Sequence, residues 1–202
     1  MNFKALSANS LMLYFKQEIS QEVLDQVQAT YLELRKLDGI VNLTPSYCSI
    51  LIEFDIFRDD HQSLIEKIKK CLTKIATSSK KEAKLITIPT YYNTQFDLER
   101  VAKENSLTID EVIQLHTKTT YRVYAIGFLV GFAYLAKVES KIATPRLATP
   151  RAKVPKGSVA IADNQTAIYP KDSAGGWNII GHTEFDAFSK FEIGDRVKFE
   201  RI

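Results

Sequence analysis

Long apolar runs are missing from this 202-residue chain. No stretch approaches the roughly 18 apolar residues that a membrane span needs. The N-terminal MNFKALSANSLMLYF has neither a long apolar region nor a small-residue cleavage site. These absences point to a soluble, cytoplasmic protein with no membrane partner. Cysteine is scarce: Cys48 and Cys71 stand far apart and in no metal-ligating spacing. Without a secretory leader they are read as buried thiols rather than a disulfide, and no metal site is expected. Charge of one sign is scarce too. The formal net charge is +3. KIKK and KKEAK are short clusters on expected helix or loop surfaces, and no aromatic-basic stripe joins them, which argues against nucleic acid. Methionine occurs only at positions 1 and 12, so there is no Met-Lys-Met biotin attachment site. The phosphate-loop, dinucleotide, zincin, paired C-x-x-C and G-x-S-x-G motifs are all absent. If ATP or biotin takes part in the chemistry, the groups that handle it must come from another chain.

What is present divides in two. Seven of the eight glycines, and four of the six prolines, lie at or after Gly127. The first half reads as β-α-β-β-α-β. Leu11 to Phe15 is a short apolar run. Ser20 can cap a helix whose Val23, Val27, Tyr31 and Leu34 recur at helical spacing, and Gly39 suits a left-handed turn after it. Ile40 to Leu43 and Ser49 to Phe54 are strand-like, with Pro45-Ser46 between them. A second helix carries Leu64, Ile65, Ile68, Leu72 and Ile75 on one face. Lys84 to Ile88 is a closing strand. That order predicts a ferredoxin-like N-terminal domain, residues 1–90, in an α+β fold.

Residues 91–202 then hold linker helices and a second domain. Asp97 to Glu104 reads as a short helix. Thr108-Ile109-Asp110-Glu111 is a capping box opening another helix that runs to about His116. Tyr121 to Leu129, Ser158 to Ala162, Gln165 to Tyr169, Asn178 to Ile180 and Arg196 to Glu200 are short strands broken by Gly, Pro, Asn and Asp. They suggest a compact barrel or sandwich. ATPRLATPR, Ala143 to Arg151, repeats five residues in tandem. It reads as an extended loop presenting Arg146 and Arg151 in similar orientations.

Each candidate for chemistry has a plainer alternative. His116 at a helix C-terminus favours a protonated imidazole with a raised pKa, fit for acid-base or oxyanion work; or it only caps the helix. GFLVGFAYL, Gly127 to Leu135, offers Phe128, Phe132 and Tyr134 as a pocket lining; or it is a bulged core strand. Arg146 and Arg151 can grip a carboxylate or phosphate through paired hydrogen bonds; or they decorate a solvated loop. Gln165, Thr166 and Tyr169 offer neutral donors and acceptors suited to an amide; or they are turn residues. Trp177, after Gly175-Gly176, is a pocket wall or the largest core residue of the barrel.

The run His116, GFLVGFAYL and ATPRLATPRAKVPKGSVAIADNQTAIYPKDSAGGWNIIGHT strongly resembles the family of the 5-oxoprolinase B component. That family also includes the sporulation-kinase inhibitor KipI and the allophanate hydrolase subunit 1 type, part of a carboxyltransferase domain. GIVNLTPSYCSILIEFD and FEIGDRVKFERI resemble its other landmarks. The resemblance implies a cyclophilin-like β-barrel behind the ferredoxin-like domain. It implies a homologous C-type partner subunit and an A-type subunit that together open 5-oxoproline to glutamate with ATP. The KipI member instead inhibits a sensor histidine kinase. On this pattern His116 is catalytic, and Phe128, Phe132, Arg146, Arg151, Gln165, Thr166, Tyr169 and Trp177 bind a small lactam or amide. The isolated chain is expected to be inactive. The sequence departs from the family at Val130 and Ala174, where proline is usual, and at Ala160, Asp163 and Ala167, where glycine is usual.

Overall fold

Ser20 opens the first helix as its sequence requires. In a computed structural model, which describes residues 1–73 and 83–202, its hydroxyl accepts from the Val23 amide at 3.3 Å. Helix α1, Gln21–Leu34, buries Val23, Leu24, Val27 and Leu34 along one stripe. Helix α2, His61–Leu72, begins with a reciprocal cap between Asp60 and Ser63 and buries Leu64 and Ile68. Both belong to the first of two compact units, Met1–Glu82. Its strands are β1 (Asn2–Ser7), β2 (Ser10–Tyr14), β3 (Ile40–Ser46) and β4 (Ser49–Phe54). Alternation sends Leu11, Leu13, Ile50, Ile52 and Phe54 into one core with the helices. Ile75 of the expected second helix and the start of KKEAK lie outside the described residues.

The expected ferredoxin-like strand set needs correction. The sheet order is β1–β2–β4–β3, every pair antiparallel. Strands β2, β4 and β3 stand as the first, third and second strands of that plan would. The place beside β2 is filled by β1, from the very N-terminus. The segment expected there belongs to the second unit as β5, Leu85–Tyr92. Residue 90 therefore lies inside a strand of the second unit. Among the described residues the two cysteines form no disulfide, and both are only half-buried.

The second unit, Ala83–Ile202, contains a closed barrel. Its strands are β5, β6 (Thr120–Ile126), β7 (Ala133–Ala136), β9 (Ser158–Ala162), β10 (Gln165–Ile168), β12 (Asn178–His182) and β13 (Arg196–Arg201). They run in the order β10–β7–β6–β13–β5–β12–β9, and β9 pairs with β10 to close the ring. Only β5 and β13 are parallel neighbours, in register from Leu85↔Arg196 to Thr90↔Arg201. A closed ring leaves no unpaired edge. A separate pair, β8 (Arg151–Val154) and β11 (Ser173–Gly175), lies outside the barrel order. Helices α3 (Leu98–Glu104) and α4 (Ile109–Lys118) complete the unit. The capping box forms: the Glu111 amide donates to Thr108 Oγ1 at 3.2 Å, and the Thr108 amide donates to Glu111 Oε2 at 2.7 Å.

Candidate functional site

Strand alternation decides which predicted residues can meet. Along β10 and its extension, Gln165, Ala167 and Tyr169 share one face, and Thr166 takes the other. The first face belongs to a cluster of Phe132, Val154, Ala160, Ala162, Ala167, Tyr169, Trp177 and Ile179. Three alanines on β9 and β10 leave room there for large rings. Phe132 is the hub. Its ring meets Phe128, Tyr134, Tyr169 and Trp177 edge-on, at centroid distances of 5.5, 4.9, 5.3 and 5.6 Å. Edge-to-face geometry of this kind is the favoured one for aromatic pairs.

Above this hub opens a cavity of about 230 Å³. Its walls are Phe128, Phe132, Tyr134, Arg146, Pro150, Tyr169, Ala174, Gly175, Gly176 and Trp177. Six residues singled out in the sequence therefore share one cavity: Phe128, Phe132, Tyr134, Arg146, Tyr169 and Trp177. GFLVG is neither strand nor bulge; it is the turn between β6 and β7. Phe128 (φ 69°) and Gly131 (φ 83°) both take the left-handed conformation there. Phe128, which lines the cavity, is 63% exposed, and Val130 in the same turn is 89% exposed. Gly175 is required by closeness rather than dihedral angle: a Cβ on it would overlap the Tyr169 hydroxyl and come within 2.8 Å of Cζ. Arg146 is the only charged side chain in the lining, and its guanidinium lies 5.7 Å from the Trp177 ring centre. Burial raises the pKa of the Tyr134 and Tyr169 phenols, and the charge of Arg146 opposes that rise. The cavity thus combines aromatic walls, two neutral phenols and one cation.

The other predicted residues fall elsewhere. The two arginines of the repeat are not alike, because Arg146 lies in the loop and Arg151 starts β8, paired opposite Gly175. Arg151 turns to Asp97, donating from Nη2 to Oδ1 at 2.6 Å, and lies 5.6 Å from the Phe96 ring centre. Its Nη1 is buried with no hydrogen-bond acceptor among the described residues. Thr166 does not line the cavity. It is fully buried, with its hydroxyl 2.9 Å from His116 Nε2. Gln165 keeps the cavity-side face of β10 but stands beyond the lining residues.

His116 reverses the expected pKa. It is fully buried, its Nδ1 lies 2.6 Å from the Tyr92 hydroxyl, and its ring packs 4.5 Å from Phe199. A neutral imidazole has one donor and one acceptor nitrogen, and the two hydroxyls satisfy both. Burial pushes its pKa down to about 3. Desolvation outweighs the pull of the helix C-terminus. The imidazole is therefore neutral at pH 7, in contrast to the raised pKa that its place in the sequence suggests.

Two residues that hold the site in shape carry no such signal in the sequence. Asp97 is buried; besides Arg151 it accepts from the Ile179 amide at 2.8 Å, and so pins the start of α3 to β12. Buried Asn178 donates to the Pro145 and Ile161 carbonyls at 2.9 and 3.1 Å, and accepts from Arg100 Nη1. That places Pro145, and with it Arg146. Asp97 begins a helix without capping it by side chain, a sign of commitment elsewhere that only the fold reveals.

A family model described as "Carboxyltransferase domain, subdomain C and D" matches residues 1–193. The chain belongs to this family. It is 34% identical over 218 aligned residues to the 5-oxoprolinase B component of Bacillus subtilis (strain 168), covering 98% of this chain and 91% of that one. It is 33% identical over 208 aligned residues to the 5-oxoprolinase B component of Haemophilus influenzae (strain Rd), covering 98% and 97%. Among solved structures, TTHA0988 superposes with a TM-score of 0.83 at 32% identity, covering 97% of this chain and 40% of that longer chain. This family member thus spans about two fifths of that protein's length.

Proposed function

We propose that this chain is the B component of an ATP-dependent 5-oxoprolinase, contributing part of the surface on which a small lactam acid is held and opened to glutamate. The observation that carries the reading is the aromatic cavity with a single guanidinium. Trp177, Phe132 and Tyr134 suit a flat ring. Arg146 suits a carboxylate, and Tyr169 and Tyr134 offer neutral hydroxyls within a partly desolvated site. Two relatives alike over nearly the whole chain carry that component's name. His116 enters this reading as a positioning residue. It fixes Thr166, and the next positions on β10 present Gln165 and Tyr169 to the cavity side.

ATP fits none of the described residues. The sequence has no phosphate loop, and the cavity of about 230 Å³ with one cation is small for a nucleotide triphosphate. Nucleotide chemistry is therefore assigned to an A-type subunit. The exposed Phe128 at the cavity and the exposed Val130 in the same turn are the surface we assign to a C-type partner, whose barrel would complete the site. A second reading, a KipI-like inhibitor of a sensor histidine kinase, draws on the same exposed apolar turn. The test is co-expression with A- and C-type partners, followed by an assay for ATP-dependent glutamate release from 5-oxoproline. Turnover that needs all three chains and is lost on Arg146→Ala supports the proposal. A stable complex without turnover refutes it and makes inhibition of kinase autophosphorylation the next assay.

A further inference from the structure

Asp163 stands beside the cavity, and nothing in the site reading accounts for it. It opens the two-residue link between β9 and β10 with φ at 51°. Glycine adopts that conformation freely, whereas a side chain other than Asn or Asp is strained there. Its amide donates to the Thr144 carbonyl at 2.7 Å, and the two residues form an isolated bridge. The turn and the ATPRLATPR loop are thus docked on each other. Docking brings the Asp163 carboxylate to 3.9 Å from Nε of Arg146. Both side chains are more than half exposed, so the contact is a weak, exchangeable one. Yet Arg146 is the sole cation of the cavity, and an approach at Nε leaves its two terminal nitrogens open to a ligand.

We propose that Asp163 competes within the chain for Arg146 and thereby sets how tightly the cavity holds ligands that carry a carboxylate. This rests on the cavity being the ligand site, as argued above. A carboxylate arriving at Arg146 meets the repulsion of Asp163 or displaces it. An uncharged amide of the same shape meets neither effect. Asp163 is then a specificity determinant: it lowers the advantage of an acid over the corresponding neutral lactam. The plainer account, an aspartate chosen only because it tolerates the left-handed turn, predicts no such difference.

The two accounts separate by titration of the full chain. Trp177, the only tryptophan, lies in the cavity wall, so its fluorescence reports occupancy. The probes are 5-oxoproline and 2-pyrrolidinone, the same ring without the carboxylate. Asp163→Asn keeps the tolerance for the turn and loses the charge; Asp163→Gly loses the charge and relaxes the turn. Both variants are expected to bind 5-oxoproline about two- to fivefold more tightly at low salt. The gain shrinks at high salt, and 2-pyrrolidinone affinity stays unchanged. If 5-oxoproline affinity is unchanged, if both probes gain equally, or if only the glycine variant gains, the proposal is wrong. If neither the parent chain nor its complex with the C-type partner binds either probe, the cavity itself has been misassigned, and the competition falls with it.

Discussion

His116 gives the sharpest forecast, because its burial turns pH into a probe of the barrel. The unfolded imidazole titrates near about 6.5, and in the folded chain the pKa is held down to about 3. Between these values the unfolded chain binds a proton that the folded chain refuses. Stability contributed by neutral His116 is whole above pH 7 and is lost as pH falls below about 6.5. The slope is about 1.4 kcal/mol per pH unit. Moving from pH 7 to pH 5 therefore costs the barrel about 2 kcal/mol through this group alone. Only below that range do ordinary carboxylates join in.

The comparison that isolates the effect is His116→Gln, whose amide can still meet one hydroxyl. At pH 7 the variant should be weaker by about 2–4 kcal/mol, from one lost hydrogen bond and looser packing against Phe199. At pH 5 the gap should close by about 2 kcal/mol, because only the parent carries the cost of a refused proton. His61 and His182 are common to both proteins and cancel. Urea unfolding followed by Trp177 fluorescence, at pH 7, 6 and 5, reads the barrel directly. Parallel stability curves for parent and variant would refute the reasoning, and with it the claim that the imidazole is held neutral.

Other perturbations follow from the same contacts. Gly175→Ala should push the Tyr169 ring out of place, costing about 1–3 kcal/mol and abolishing probe binding, read by melting and by Trp177 fluorescence. Asp97→Ala removes the partner of Arg151 and an acceptor for the Ile179 amide; a loss of about 3 kcal/mol is expected in chemical denaturation. Arg146→Ala should leave the melting temperature within about 2 °C and lower 5-oxoproline affinity at least about tenfold, measured by calorimetry. The double change Phe128→Ser and Val130→Ser should weaken assembly with a C-type partner on gel filtration while costing the isolated chain only about 1 kcal/mol, since Val130 is almost wholly in water and Phe128 gives up one edge-on contact with Phe132.

The elements that sequence exposes best are those closed by local rules. The Thr108 capping box, the Ser20 cap and the strand-like run Ser49–Phe54 are short-range signals, and each forms as read. The strand at Leu85–Tyr92 has the right local pattern, but its membership in a sheet does not. Its partner β13 begins more than a hundred residues later, and no local feature tells a fourth ferredoxin-like strand from a barrel strand. Asn2–Ser7 escapes a sequence reading because its residues are mostly exposed and only its hairpin with β2 makes it a strand. At the site, aromatic residues and Arg146 are legible by type and grouping. Asp97 and Asn178 are not, because their work is to hold backbone from distant segments.

The separation of Thr166 from Tyr169 is legible in the sequence, since three residues on a strand means opposite faces. It also explains how one short strand serves two purposes. Thr166 locks β10 to buried His116, where a neutral imidazole joins two hydroxyls from β5 and β10. The opposite face of the same strand presents Ala167 and Tyr169 to the aromatic cavity. A rigid anchor on one side gives the other a fixed wall, which ring packing at 5 to 6 Å requires. On the proposed reading, His116 would matter to ligand binding without touching the ligand. Its loss should be felt as a loosened wall, in weaker binding of charged and uncharged probes alike. Loss of Arg146 should be felt by the carboxylate alone.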